Sequence, residues 1–502
     1  MILMTMMTVP FIAAGGAADD ANQPVVWRQA VQSCLDNVIR HGTDRYGKVK
    51  TPMLMSIVDV RTNTSPQTPE LLDGQIRAEG RPQRRNPGGS NLWTDQPLLR
   101  TLYAFSKITD DSRYAKAADD YVRYAFEHAR KPNGMMAWGS HIFYDAYNDR
   151  RGGDGNGDGP HEILVHFAEW ERMWRVTPER VRQEIEGIWR YHIVDPKTGE
   201  HNRHDDRQRG CDFAFSGGEF ACAFAFLYTK TKDPKHLAWA KTVVGRHWNA
   251  RNTQTGLTPD APSTGGRYDA HHCFTTIPGP HAALVLKCYE LTGDAFFKEV
   301  ALTYLKAYVK HGWDAKARRF YAMLTLDGKP IMSQGSSSGY DAYKPTGHVE
   351  IWRTLMFSYE FPILTAQTYV YAYELTGDAE LLDGAGKWAE NIRAHLPPTV
   401  GRRWRKQILE AMPAVKTTNG TYAENYGRAI SFFLHLHHAT GEAAHLSTAR
   451  ALANEAAAKL SQNGWLKGHP AKPYYEATDG VSFLLYALLE LSAHPKKLPS
   501  NL

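Results

Sequence analysis

The sequence predicts an all-α protein built as an (α/α) barrel, a closed toroid of six or seven helical hairpins. Three observations lead to this prediction. A short turn recurs between amphipathic stretches, strand patterns are scarce, and long polar segments return at equivalent points of the repeat. Such self-similarity is typical of stacked helical hairpins. We expect a catalytic cleft on the rim that carries the long loops, because binding residues concentrate on loops held by a rigid scaffold.

The recurring turn ends one helix with a small polar residue or glycine and starts the next with Thr, Asp or Glu. Glycine tolerates the left-handed conformation that closes a helix, and the oxygen-bearing side chain can accept the free N–H groups of the following helix. Residues 26–40 and the run Gly480–Ala493 supply a seventh hairpin. An open solenoid is the alternative, and the long loops favour closure. The six turns are Ile108–Asp111, Val176–Glu179, Thr231–Pro234, Thr292–Asp294, Thr376–Asp378 and Thr440–Glu442.

Composition predicts an ordinary globular protein with material for a large core. Of the 502 residues, 42% are hydrophobic and 22% charged, and the net charge is +6. This mild basic excess suits an acidic substrate. It argues against nucleic acid, because the one dense basic run is Arg81–Arg85. The five cysteines form no CxxC pair and no zinc spacing, and their odd number argues against a disulfide scaffold.

The N-terminus resembles an export signal. Residues 1–20 combine an apolar stretch with small residues before Asp19, although no Lys or Arg precedes it. We therefore expect a leader over 1–20, a single toroid domain over 21–502, and a secreted or periplasmic location. No apolar run is long enough to span a membrane. We expect a monomer or a weak homo-oligomer.

Four loop segments concentrate His, Asn, Arg and Tyr, and the repeat places them on one rim. They are residues 138–151, 153–170, 200–206 and 265–272. Cleaving a polyuronate by β-elimination needs a group that neutralises the carboxylate, a base for the C5 proton and an acid for the departing O4. These segments contain such a set in Asn148, His204 and Tyr268.

Ten further residues of these loops are predicted to bind substrate. Arg203 and Arg267 would clamp carboxylates, and the aromatic rings would stack on sugars. The alternative for each is a structural role, as a hydrogen-bonded histidine, a turn residue or a packed ring. The ten are Trp138, His141, Tyr144, Tyr147, His161, Glu162, Asn202, Arg203, Arg267 and His271.

The glycine-rich segment resembles the first half of an oxygen-rich calcium loop. Asp154, Asn156 and Asp158 have the alternating spacing of such ligands, followed by glycine. The bidentate Glu expected at the twelfth position is replaced by Val165. A flexible loop without metal is the alternative. The expected reaction requires no cofactor, and Ca²⁺ is the one ion that the sequence suggests.

The chain resembles the (α/α)-toroid polysaccharide lyases, in particular the single-domain family 38 lyases that act on glucuronan and alginate. The resemblance covers the repeat across most of the chain and three loop motifs in order: Trp138–His141 with Asn148, Asn202–His204, and Arg267 with Tyr268. It implies Asn148 as neutraliser, His204 as base and Tyr268 as acid. The last two roles could be exchanged between syn and anti elimination, and Tyr144 or Tyr147 could substitute for Tyr268.

Three other functions remain open on the same fold. A glycoside hydrolase would need two opposed carboxylates, and Glu162 and Glu219 are among those available. A sugar 2-epimerase could use paired histidines such as His204 and His348, but it would not need an export signal. A non-catalytic carbohydrate-binding protein would show flat aromatic patches without clustered His, Asn and Arg. Fold alone does not decide among these functions.

Overall fold

The structure is a computed structural model that describes residues 23–70, 85–163, 167–263, 269–333, 344–352, 359–400 and 418–502. The predicted leader, residues 1–20, lies outside the described residues, and so do Arg267 and Tyr268.

Within the described part of the chain, fourteen α-helices form seven antiparallel hairpins. The helices, numbered in chain order, are Gln23–His41 (α1), Gln96–Thr109 (α2), Ser112–His128 (α3), Trp170–Val176 (α4), Pro178–His192 (α5), Ala214–Thr231 (α6), Pro234–Ala250 (α7), Ala282–Thr292 (α8), Ala295–Gly312 (α9), Pro362–Thr376 (α10), Ala379–Arg393 (α11), Ala423–Thr440 (α12), Ala443–Leu460 (α13) and Val481–Ala493 (α14).

The even-numbered helices form an inner ring and the odd-numbered helices an outer ring. Helices α6, α12 and α14 are buried on nearly all sides, whereas α3 and α5 bury a single stripe. Each inner helix from α4 onward packs on the next, and α14 packs on both α2 and α1. The seventh hairpin therefore combines the first and last helices and closes the ring. The predicted all-α toroid is confirmed, with seven hairpins.

All six predicted turns join an inner helix to its outer partner on one rim. The first residue after the inner helix is left-handed at five of them, and it is glycine at three. At four turns an aspartate then accepts the backbone N–H two residues later, as predicted from the capping pattern. These four are Asp111, Asp233, Asp294 and Asp378.

The opposite rim carries the long loops, whose described residues form short strands and a few single helical turns. The strands are Ile57–Asp59 (β1), Gly89–Ser90 (β2), Ile142–Asp145 (β3), Arg150–Gly153 (β4), Ile193–Asp195 (β5), Glu200–His201 (β6), His272–Phe274 (β7), Trp313–Asp314 (β8), Arg319–Phe320 (β9), Met323–Thr325 (β10), Thr399–Val400 (β11), Thr418–Asn419 (β12), Ser461–Gln462 (β13), Trp465–Leu466 (β14) and Tyr474–Glu476 (β15).

These strands pair antiparallel. The largest sheet has the order β2-β3-β4, and six two-stranded sheets pair β1 with β15, β5 with β6, β7 with β10, β8 with β9, β11 with β12, and β13 with β14. In the β3–β4 hairpin, Ile142 lies opposite Gly153 at the open end and Asp145 lies opposite Arg150 near the turn. The open end faces the residues that form the candidate site.

The last residues of the chain occupy the interior of the inner ring. Asn501 donates from its side chain to the Phe483 carbonyl at 2.7 Å, and its own carbonyl accepts from the Gln367 side chain at 3.0 Å. The Arg100 guanidinium donates to the Leu502 backbone at 2.6 Å. These contacts hold the last residues against three helices of the inner ring.

Two further findings concern the described residues. None of their helices combines the length and apolarity needed to cross a bilayer. All five cysteines are buried and none is bonded to another.

Candidate functional site

Three rim segments bring together two histidines and a glutamate. His141 immediately precedes β3, Glu162 follows the glycine-rich loop after β4, and His204 follows β6 in the connection from α5 to α6. The backbones of Glu162 and His204 form an isolated antiparallel bridge. One ligand atom of each of the three side chains lies within 4.8 Å of the other two. We call these three residues the His–Glu–His cluster.

Close backbone contact fixes the carboxylate of this cluster. Gly139 has a φ of +101°, and a Cβ at this position would lie 2.5 Å from the Glu162 carbonyl oxygen, so only glycine fits. The next residue, Ser140, donates its backbone N–H to Glu162 Oε2 at 3.2 Å and also donates its hydroxyl to the same oxygen. The segment before β3 thus holds one face of the carboxylate.

Cationic and imidazole groups surround the remaining faces of Glu162. Arg203 Nε lies 3.2 Å and His204 Nε2 lies 3.3 Å from Oε1, and His141 Nε2 lies 3.6 Å from Oε2. The Glu162 side chain is fully buried. Burial raises the pKa of Glu162, but the charges of Arg203, His204 and His141 and the His204 hydrogen bond lower it more, so the net pKa lies well below its ordinary value. Glu162 is therefore an anion held inside the protein.

A second layer of polar contacts fixes the segment that carries His204. Asp205 accepts from the Asn133 side chain at 2.8 Å and from the His161 backbone at 3.0 Å, and it pairs with Lys131. The ring of His161 contacts that of His192 at 2.7 Å between Nδ1 and Nε2. These contacts tie the connection from α5 to the Glu162 segment.

The donor set of the cluster suits a divalent transition metal. Two imidazoles and one carboxylate, with further coordination positions open, is the ligand set of many catalytic Zn²⁺ and Fe²⁺ sites. Calcium instead takes six to eight oxygen ligands. Three ligand atoms converge around a buried anionic carboxylate, and the other ring nitrogen of His141 lies 2.7 Å from Asp154. The residues fit a metal bound by nitrogen and oxygen.

Of the three predicted catalytic residues, one lies in the cluster. His204 is a cluster member, and Tyr268 is outside the described residues. Asn148 is exposed in the turn of the β3–β4 hairpin, where its amide donates to Asp145 Oδ2 at 2.7 Å. Four strand residues separate this turn from His141, which is ~13 Å at the usual rise per residue.

Three of the predicted substrate-binding residues surround or join the cluster. His141 and Glu162 are members, and Arg203 lies beside them with its guanidinium 5.4 Å from the Phe213 ring centre. Asn202 is buried and accepts the His204 backbone N–H at 3.0 Å. It therefore shapes the turn that presents Arg203 and His204.

The other predicted binding residues lie in packed or peripheral positions. Trp138 and His161 are buried and hydrogen-bonded to each other. Tyr144 is buried, and the Tyr147 hydroxyl donates to the Ser65 carbonyl at 2.9 Å. His271 is exposed, with its backbone N–H on the Asp269 carboxylate.

Two of the three predicted calcium ligands have protein partners. Asp154 Oδ2 lies 2.7 Å from His141 Nδ1, and Asp158 Oδ1 lies 2.9 Å from Arg151 Nη2. Asn156 between them is left-handed and exposed. Calcium binding by this loop stays a prediction.

All members of the cluster are among the residues predicted from the sequence, but their common role is not. The sequence predicts substrate binding for His141 and Glu162 and proton transfer for His204, because the three are spread over 64 residues without a compact metal motif. The sequence feature that could have indicated a metal site is the presence of two histidines and a glutamate in neighbouring loops of one rim. Only the backbone bridge between Glu162 and His204 shows that these loops converge.

A family model described as periplasmic pectate lyase matches residues 79–260. This segment contains the whole His–Glu–His cluster, Arg203 and Asp154. A pectate disaccharide-lyase of Dickeya dadantii (strain 3937) is 26% identical, in an alignment covering 46% of this chain and 45% of the relative. The match thus spans less than half of that relative's length.

Several solved structures resemble the whole ring at low identity. A D-mannose isomerase aligns with a TM-score of 0.48 and 9% identity over 95% of this chain and 99% of its own. The cellobiose 2-epimerase from Bacillus thermoamylovorans B4167 aligns with a TM-score of 0.46 and 10% identity over 93% and 99%. An α-1,6-mannanase of Salegentibacter sp. HEL1_6 aligns at 0.45 and 10% over the same shares. Similarities at this level carry no information about the site.

The sequence comparisons support the predicted class of polysaccharide lyase in general. The finer resemblance to family 38 stays a prediction, because the matched family model and relative are pectate lyases.

Proposed function

We propose that this protein is a lyase that cleaves an acidic, uronate-containing polysaccharide by β-elimination, using a divalent transition metal held by the His–Glu–His cluster. The observation that carries the proposal is the buried cluster with Arg203 beside it, within the segment that is similar to pectate lyases. Neither the cluster alone nor the similarity alone would carry it. The cluster supplies the chemistry, and the similarity supplies the class of substrate.

The chemistry requires that the uronate carboxylate be neutralised before its neighbouring carbon loses a proton. A metal bound at the cluster would act as a Lewis acid toward the carboxylate oxygens. Arg203 lies beside the cluster, where its fixed fork of donors can hold the same carboxylate or the developing enolate. Only 3% of the Arg203 side chain is exposed, so its charge acts from inside the protein, where water screens it little.

This proposal changes the role predicted for His204. A histidine whose ring nitrogen binds a metal has no lone pair left at that atom for accepting the C5 proton. His204 therefore acts as a ligand, and Arg203 with the metal takes over the neutralising role predicted for Asn148. Tyr268, predicted to share proton transfer with His204, then takes the C5 proton as the base and returns it to the departing O4 as the acid.

Among uronate polymers, we propose a homogalacturonan such as pectate as the first substrate to test. The reason is the names of the family model and the relative, both of which are pectate lyases. Glucuronan and alginate, predicted from the sequence, are the next candidates. The family model's description and the signal-like residues 1–20 together support a periplasmic location.

The test is absorbance in the ultraviolet during incubation with polygalacturonate, polymannuronate, polyguluronate and glucuronan, each with added Mn²⁺. Elimination leaves a conjugated 4,5-double bond that absorbs, whereas hydrolysis and epimerisation do not. We expect absorbance to rise with polygalacturonate. New reducing ends without absorbance would identify a hydrolase and refute the proposal. Rising absorbance on another polymer alone would keep the lyase and change the substrate.

A further inference from the structure

Asp154 contacts His141 on the side opposite to Glu162. Its Oδ2 lies 2.7 Å from His141 Nδ1, and His141 Nε2 is the atom that faces Glu162 at 3.6 Å. A neutral imidazole carries its proton on one nitrogen and a lone pair on the other. A carboxylate beside Nδ1 accepts a hydrogen bond from the Nδ1–H group, so the proton stays on Nδ1 and the lone pair is on Nε2. The contact therefore selects the tautomer that can bind a metal at the cluster.

The β3–β4 hairpin makes this contact a built feature of the fold. Ile142 and Gly153 are paired at its open end, so His141 and Asp154 are the next residues on each strand. The Asp154 backbone N–H donates to the His141 carbonyl at 2.8 Å. A Cβ on Gly153 would lie 2.2 Å from that carbonyl oxygen, so the two segments meet only because this residue is glycine. Backbone and side chain together fix Asp154 on His141.

The rest of the glycine-rich loop is fixed from its other side. Arg151 donates to the Gly157 carbonyl at 3.0 Å and pairs with Asp158 at 2.9 Å. The loop carbonyl of Asp154 also accepts the Gly159 N–H at 2.9 Å. Asp158 is thus paired with Arg151, whereas Asp154 contacts His141 of the His–Glu–His cluster.

We propose that Asp154 is a positioning residue, which fixes the tautomer and ring direction of His141 for metal binding at the His–Glu–His cluster. The inference rests on the proposed function. Carboxylates that orient metal-binding histidines typically contribute 10- to 100-fold in metal affinity. Asp154 does not touch the metal or the sugar in this scheme, so saturating metal should restore most of the turnover in a variant that lacks it.

The experiment compares Mn²⁺ affinity of the metal-free full chain and its Asp154→Asn variant. Free Mn²⁺ is measured from its electron paramagnetic resonance signal during titration, without substrate. An asparagine can instead donate to Nδ1 and move the proton to Nε2, so we expect the dissociation constant to rise about 10- to 100-fold. The thermal melt of the metal-free protein should stay unchanged, because the Asp154 side chain is 41% exposed.

Asp314→Asn is the matched control, because Asp314 makes the same kind of contact with His348, 3.0 Å from Oδ2 to Nε2. Its Mn²⁺ affinity should remain within about twofold of the unmodified chain, because the contacts of Asp314 are with His348, Tyr321 and its own turn and not with the cluster. Equal affinity in Asp154→Asn and the unmodified chain would overturn the inference and leave the proposed function intact. Equal weakening in both variants would also overturn it. Absence of Mn²⁺ binding by the unmodified chain would instead overturn the proposed metal site.

Discussion

Two fully buried glutamates, Glu162 and Glu476, lie on the same rim and differ in the cations that surround them. Glu476 pairs with Arg85 at 2.7 Å and with Lys472 at 3.3 Å, and Lys472 also pairs with Asp479 at 2.6 Å. All four of these side chains are shielded from solvent. Burial raises the pKa of Glu476, but Lys472 and Arg85 lower it to about 2. By burial and acidity alone, Glu476 would look as much like a functional residue as Glu162.

The difference lies in what the partner groups can do. The cluster of Arg85, Lys472, Glu476 and Asp479 balances two cations with two anions. Its Arg and Lys have no lone pair to offer a metal at neutral pH, and its two carboxylates are already paired with these cations. This ion-pair cluster joins β15 to the segment before β2, and β15 pairs with β1. It therefore holds together the loops next to the hairpin of α1 and α14. Glu162 instead faces two imidazoles, whose ring nitrogens can be ligands. A lowered glutamate pKa is therefore found both in a structural ion-pair cluster and in a candidate functional site. The two are distinguished by whether the neighbouring side chains can bind a metal.

Removing metal should have the largest effect, because it should abolish the function of the His–Glu–His cluster without affecting the Glu476 cluster. After dialysis against a chelator, we expect lyase activity to fall by about 100-fold or more, the scale for losing a main electrostatic stabiliser of the transition state. Adding Mn²⁺, Co²⁺ or Zn²⁺ one at a time should identify the ion that restores it. The measurement is initial absorbance rate on polygalacturonate. Full activity in metal-free protein would contradict the role of the His–Glu–His cluster as a metal site.

For Glu476→Gln we expect a loss of stability and no loss of activity. This change leaves the charges of Arg85 and Lys472 buried with Asp479 as the only remaining anion of the cluster, which should cost about 3–5 kcal/mol in the free energy of unfolding. Activity per folded molecule should be retained. Urea unfolding measures the first quantity and the absorbance assay the second. Glu380→Gln, which removes an exposed partner of Lys306, should cost less than about 1 kcal/mol. Equal losses of unfolding free energy in the two variants would refute a stabilising role for the buried Glu476 cluster.

Acid should weaken the Glu476 cluster in a defined range of pH. Glu476 has a pKa of about 2 in the folded chain and an ordinary value of 4.5. Between these values the unfolded chain binds the extra proton, so this contribution to stability is fully present above pH 4.5 and is lost as the pH falls toward 2. Unfolding free energies measured across this range should fall less steeply for Glu476→Gln than for the unmodified chain. Parallel curves would mean that other carboxylates dominate acid unfolding.

The ring could be predicted from sequence because its determinants are local. Turns such as Thr292–Asp294 and Thr376–Asp378 carry their capping residues within three positions, so helix ends and hairpins follow from the sequence. Pairing of the first and last helices was also foreseen, since both are amphipathic or apolar stretches left without a partner. The site was predictable only as a set of loop residues. Convergence of His141, Glu162 and His204 depends on Gly139 and on a backbone bridge between distant loops, which no local pattern records.

Substitution of Asn148 should have the smallest effect on activity. It directly tests the role predicted from the sequence, in which Asn148 neutralises the substrate carboxylate. Its amide is held by Asp145 in an exposed hairpin turn, so Asn148→Ala should change kcat/KM by about twofold or less, as for surface substitutions. Arg203→Ala, beside the cluster, should lower it by about 100-fold. Both are measured on polygalacturonate at saturating metal. A loss with Asn148→Ala as large as that with Arg203→Ala would restore Asn148 as the neutraliser of the substrate carboxylate. The hairpin turn would then have to reach the sugar in the bound complex.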